Sequence, residues 1–145
     1  MKSRTWWRLA SGLTLFFAVA HTGGMLRPPA RGPAEDAVLE HMRRYQFEIM
    51  GSTRTYWEFF FGFGLFLTAA LLVVSALSWQ VGDVSKTDAP LARRLGWPLF
   101  AGQVVFAILS WKYFFLAPSL VTSAASVCSL LGLLAPSRPT GAANP

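Results

Sequence analysis

The chain has 145 residues, one domain's worth of material, and a formal charge of +6. Only 14 % of its residues are charged, where a soluble domain carries about a quarter, and 53 % are hydrophobic, gathered into runs. Its basic residues stand at the edges of those runs (Lys2, Arg4 and Arg8, then Arg27 and Arg31, then Arg93 and Arg94) rather than in one patch interleaved with aromatics. That distribution excludes a nucleic-acid partner and suits the topogenic charges of a membrane protein.

A helix needs about 20 apolar residues to cross a hydrocarbon core ~30 Å thick. The first such run extends from Trp6 to Leu26. Its basic start and the triplet Ala18-Val19-Ala20 resemble a signal peptide. The apolar run continues through Gly23, Gly24, Met25 and Leu26, however, and two tryptophans open it, so we read it as a retained span. A loop follows, opening with "RPPARGP", too rich in proline to be helical. Over about residues 35–50, Val38, Met42, Tyr45 and Ile49 make one apolar stripe, with Glu35 and Asp36 at the start and Gly51 past the end. This pattern predicts an amphipathic interfacial helix, as fitting for a plain surface helix as for a lid.

The second span runs from Tyr56 to Trp79, and "QVGDVSKTDAPLARR" after it reads as a solvated linker. From Trp97 to Ala135 there is almost no polar break. One helix of about 39 residues would be roughly 58 Å long, about twice the core thickness, so the segment must fold back. "FLAPSL" is the place, since Pro118 lacks an N–H and suits the first turn of a new helix. Spans three and four are therefore about 97–116 and 117–135. The tail "PSRPTGAANP" reads as disordered. The expected fold is an all-α, four-transmembrane-helix antiparallel bundle over residues 1–136, with the amphipathic helix between the first two spans. Basic residues divide almost evenly between the two sides, and the dense cluster ahead of the first span sets both termini in the cytoplasm.

Cys128 is the only cysteine, so neither an intrachain disulfide nor a thiolate metal cluster can form. Nucleotide-loop, zinc-protease and hydrolase signatures are lacking. A haem would need a second axial ligand, for which His41 on the amphipathic helix is poorly suited, and no cofactor or metal is implied.

Three ionisable residues interrupt the spans. In an antiparallel bundle "WEFFF" (57–61) and "WKYFF" (111–115) fall at the same membrane face. Lys112 is about 15 residues, or ~22 Å, from Trp97, and His21 is about as far from Trp6. His21, Glu58 and Lys112 are therefore expected in one layer, with Thr22, Tyr56, Trp57, Trp111 and Tyr113 nearby as candidate ligand-binding residues. Charges inside a span usually pair or face the interior, and Glu58 with Lys112 is the natural pair. Plainer readings stand beside this one. Thr55-x-x-Glu58 is a capping box, Lys112 can snorkel to headgroups, and His21 can bond a carbonyl. The small residues of span two (Gly62, Gly64, Ala69, Ala76) and of span four (Ser119, Ser123, Ser126, Ser129, Gly132) suit helix contacts, and Gln103 suits a hydrogen bond across helices.

In "AHTGG", "MGSTRTYWEFFFGFGL" and "SWKYFFLAP" the chain resembles a family of small bacterial four-span integral membrane proteins, over most of residues 8–135. The resemblance implies an inner-membrane location and no particular reaction. It places His21, Glu58, Trp111, Tyr113 and Pro118 inside motif positions, where many relatives carry aspartate in place of Glu58. In layout alone the chain is also similar to emopamil-binding and sterol-isomerase proteins, which set acidic and histidine side chains around an intramembrane pocket.

Two functions suit these observations. One is a protein that binds a lipid-like or quinone-like amphiphile, or serves as a small subunit of a membrane complex. Its partners would be membrane lipids, a hydrophobic small molecule, and further copies or other subunits. The alternative is an enzyme acting on a lipid, with His21 or Glu58 exchanging a proton and Lys112 tuning it.

Overall fold

The computed structural model describes residues 2–26 and 32–135. The proline-rich "RPPAR" stretch and the tail beyond residue 135 lie outside them. Five helices and one hairpin follow in order: α1 (Ser3–Leu26), α2 (Pro33–Arg44), β1 (Gln46–Ile49), β2 (Ser52–Thr55), α3 (Tyr56–Val84), α4 (Ala89–Tyr113) and α5 (Leu116–Leu134). Of these, α1, α3 and α5 are long and apolar enough to cross a membrane. By the same measure α4 falls short, because Trp97, Pro98, Gln103 and Lys112 dilute its apolar run. Four spans were expected; three helices meet the requirement by length and composition.

The chain divides into two compact units. One holds residues 1–17 and 71–145, the other residues 18–70, so α1 and α3 each contribute one end to each unit.

In the first unit, four helices meet around Trp7, which is 1 % exposed and packs with Val81, Ala92 and Leu133. Gly96 on α4 and Gly132 on α5 let this indole in and Gly82 on α3 makes room for its Cβ, because a Cβ on any of the three would meet the Trp7 side chain within about 3.1 Å. The rest of this interior is polar. Ser11 and Ser75 exchange hydrogen bonds, each hydroxyl donating to the other's carbonyl at 2.8 and 3.0 Å. Gln103 donates to the Ser78 hydroxyl at 3.4 Å and accepts from that of Ser129 at 2.6 Å, tying α4 to α3 and α5. Ser119, Thr122 and Ser126 return their hydroxyl protons to carbonyls of their own helix. Large apolar side chains such as Phe16, Val73, Ile108 and Val127 face outward. Small and hydroxylated residues inside with bulky apolar ones outside reverse the order of a water-soluble core, and suit close packing where the surroundings are themselves apolar.

The α4–α5 junction is as tight as its sequence demands. α4 ends at Tyr113, Phe114 and Phe115 make the turn, and Pro118 falls in the first turn of α5. Pairing of Trp111 with Ser123 and of Gln103 with Ser129 shows that the two helices run antiparallel.

Two expectations are corrected in this unit. The linker after the second span is mostly helix. α3 continues to Val84, and α4 starts at Ala89, with Asp88 accepting the Leu91 N–H at 2.9 Å as its cap. Asp83 gives the end of α3 an anchor, accepting from Arg4 and Arg8 at 3.1 Å each, and Val81 packs on Trp7, so this extra turn is fixed by charge and by core contact together. Ala76, assigned to close packing, is exposed; α3 approaches its neighbours through Ser75, Ser78 and Gly82 instead.

In the second unit, the amphipathic helix expected over 35–50 stops at Arg44. Residues 46–55 form an antiparallel hairpin pairing Gln46 with Thr55 and Ile49 with Ser52. Met50 and Gly51, at φ 49° and 76°, make its two-residue turn, the primed type that matches strand twist. Gly51 therefore serves a hairpin, not a helix end. Tyr45, Tyr56, Phe47, Phe59 and Phe63 touch ring to ring in that order at centroid distances of 5.0 to 5.7 Å, joining the hairpin to the start of α3. Ala69, like Ala76, is exposed.

Candidate functional site

The residues singled out in the sequence divide between the two units. In the second, His21 donates from Nε2 to the Gly64 carbonyl at 3.2 Å, which requires the proton on that nitrogen. The Thr22 hydroxyl donates to Ala18 one turn back and lies 2.9 Å from that of Thr68. Tyr56 stacks on Tyr45, while Trp57 stacks on Phe61 and receives the Arg43 guanidinium over its ring at 4.9 Å.

Glu58 closes the start of α3. Its carboxylate accepts the Thr55 N–H at 2.7 Å, and the Thr55 hydroxyl accepts the Glu58 N–H at 3.1 Å. Both halves of a capping box are present, and they account for an acid at the mouth of a greasy helix.

Lys112, Trp111 and Tyr113 belong to the first unit. The ammonium of Lys112 lies 5.0 Å from the centroid of the Tyr113 ring, and the Trp111 indole donates to Ser123 at 3.0 Å. Lys112 and Trp111 line a shallow, open groove between α4 and α5. Neither unit by itself contains an acid, an ammonium and an imidazole in one layer.

The better-formed site lies at the other end of the first unit, where α1 begins, α3 ends and α4 begins. A cleft of about 330 Å³ opens there, within the range of small-molecule sites. Trp7, Ala92 and Leu133 line its apolar part, and Lys2, Arg4, Lys86 and Arg93 line its charged part. Among the described residues the lining includes no carboxylate. The hydroxyls of Ser3, Ser85 and Thr87, also in the wall, donate to carbonyls of Gly132, Gly82 and Val84. They stiffen the wall and leave recognition to the cations.

The sequence reading missed this cleft. Its cations come from residues 2–4, 86 and 93, and each group alone looks like an ordinary topogenic charge. The available signal was Asp83, an acid just past an apolar run, with Arg4 and Arg8 spaced one helical turn apart to meet it.

Among the described residues no three His, Cys, Asp or Glu side chains gather as a metal site requires. No family model, curated protein or solved structure matches the chain.

Proposed function

We propose that the chain is an integral protein of the bacterial inner membrane, crossing it four times with both termini in the cytoplasm, and that it binds an amphiphile. The observation that carries this reading is the cleft of about 330 Å³ in which an apolar floor meets a cationic rim. An amphiphile presents the same two chemistries in the same order. The inverted burial of the first unit supports the membrane half of the reading, and α4, closely packed on α5, supplies the fourth crossing. A lipid-transforming enzyme finds less support, because Glu58 is engaged as a cap.

The test is to purify the protein in mild detergent and identify what co-purifies by mass spectrometry, alongside Thr87→Trp. Thr87 is exposed and lines the cleft, so an indole there narrows the cavity while every residue packed around Trp7 is kept. The wild type retains an amphiphile near one per chain, and the variant folds with the same melting temperature and retains much less. Equal retention by both proteins, or none by the wild type, would reject the reading.

A further inference from the structure

We infer that the cleft recognises the phosphate-bearing headgroup of an anionic lipid. This rests on the amphiphile-binding reading and narrows it to a charge class.

The sign of the site is set by side chains. Ser3 and Ala89, the first residues of α1 and α4, line the cleft, and so do Ser85 just after α3 and Ala135 at the end of α5. Two helix N-termini and two C-termini therefore meet there, and their opposed partial charges offset one another. What remains is Lys2, Arg4, Lys86 and Arg93. Asp83 is the carboxylate close to them, and it is already shared. It accepts from Arg4 through Nε at 3.1 Å and from Arg8 at 3.1 Å, with Lys86 3.9 Å away. Asp88, the other carboxylate of this turn, is committed to the Leu91 N–H and does not line the cleft.

Assigning all of Asp83 to the cleft still leaves three of the four lining cations uncompensated. Lys2 and Arg93 form no ion pair with any described residue. Arg4 binds Asp83 through Nε, which orients its guanidinium while its terminal nitrogens remain available. A neutral headgroup would leave this concentration of positive charge unanswered. A phosphodiester with no compensating ammonium in its headgroup answers it, and the floor of Trp7, Ala92 and Leu133 takes the glycerol and first methylenes.

The experiment is native mass spectrometry of the full chain in mild detergent, titrated separately with phosphatidylglycerol, with phosphatidylcholine and with inorganic phosphate. Phosphatidylglycerol should bind at least about tenfold more tightly than phosphatidylcholine. In the double variant Lys2→Gln/Arg93→Gln this preference should vanish, since ~1 kcal/mol per basic residue near a lipid surface amounts to about 30-fold in phosphatidylglycerol affinity. Both residues are exposed, so the variant folds, and an unchanged melting temperature verifies it. Arg43→Gln/Arg44→Gln, in the other unit, should leave the preference intact. Equal binding of the two lipids, or a preference that the double variant keeps, overturns the inference; tight binding of both lipids at once would do so while upholding the amphiphile reading. If inorganic phosphate binds as tightly as phosphatidylglycerol, the site takes a free anion and the lipid assignment is wrong.

Discussion

Glu58 shows how a residue that looks chemical can be answered by backbone geometry. The first turn of a helix leaves N–H groups without partners, and where it emerges from a two-stranded hairpin the junction must fix both the helix start and the entry direction of the chain. Thr55 ends β2 and caps α3, and Glu58 reaches back to the Thr55 N–H, so strand, cap and helix are locked by residues three apart. A cap needs an acceptor more than it needs a charge. Glu58→Gln should therefore melt close to the wild type, while Glu58→Ala should cost about 0.5–1 kcal/mol, and Thr55→Ala about 1 kcal/mol. Thermal unfolding followed by circular dichroism in one detergent measures all three. A Gln variant as damaged as the Ala variant would mean that the carboxylate's charge has a task the cap does not describe. His21 follows the same logic at the far end of α1, where a carbonyl of α3 takes its ring proton.

Between elements, the closest approach in the first unit is that of Gly96 and Gly132 to one indole. A Cβ on Gly96 would stand 2.6 Å from Trp7 Cζ2, and one on Gly132 would stand 2.8 Å from Trp7 Nε1. Trp7 is a rigid ring held on several sides, so neither clash is relieved by rotating a side chain. Gly96→Ala and Gly132→Ala should each destabilise by about 1–3 kcal/mol, and Trp7→Phe should recover part of that loss in the double variants, a coupling that a melting-temperature cycle detects. Gly12→Ala and Gly102→Ala, where nothing stands within 4 Å, should be neutral or stabilising by up to about 1 kcal/mol. Local features of this kind were legible in part. Pro118 marked the α4–α5 turn, Gln103 was readable as a bridge between helices, and Thr55-x-x-Glu58 read as a cap, because each depends on a few neighbouring residues. The hairpin was not, since Tyr45 and Ile49 fit the i, i+4 stripe of a helix as well as the alternation Tyr45-Phe47-Ile49 of a strand. Only the positive φ of Met50 and Gly51, invisible to hydropathy, separates the two. The cleft was illegible for the opposite reason, since its parts lie some eighty residues apart and acquire meaning only after α1 has met α3.

For the molecule as a whole, the number of crossings turns on α4. α1, α3 and α5 have the length and apolarity to do so alone, whereas α4 carries Pro98, Gln103 and Lys112. The proposal of four crossings relies on α4 sharing its polar atoms with neighbours. Gln103 is 2 % exposed and bonded on both sides, so it presents no unsatisfied amide to lipid, and Lys112 lies within the last turn, where its stem can carry the ammonium to the headgroups. The proposed four crossings would put residues 32–55 and the 114–115 turn outside, with the start of α1 and residues 85–88 inside. Cys128 is the native thiol, so a Cys128→Ser background accepts single reporters. In intact cells, Met50→Cys and Phe115→Cys should react with a membrane-impermeant maleimide, and Lys86→Cys only after the membrane is opened. Met50 is fully exposed at the hairpin tip and Phe115 is exposed in its turn, so burial would not mask the label at either position. If α4 does not cross, Phe115→Cys is protected together with Lys86→Cys while Met50→Cys still reacts. That pattern would place both ends of α4 on one side and remove the fourth span.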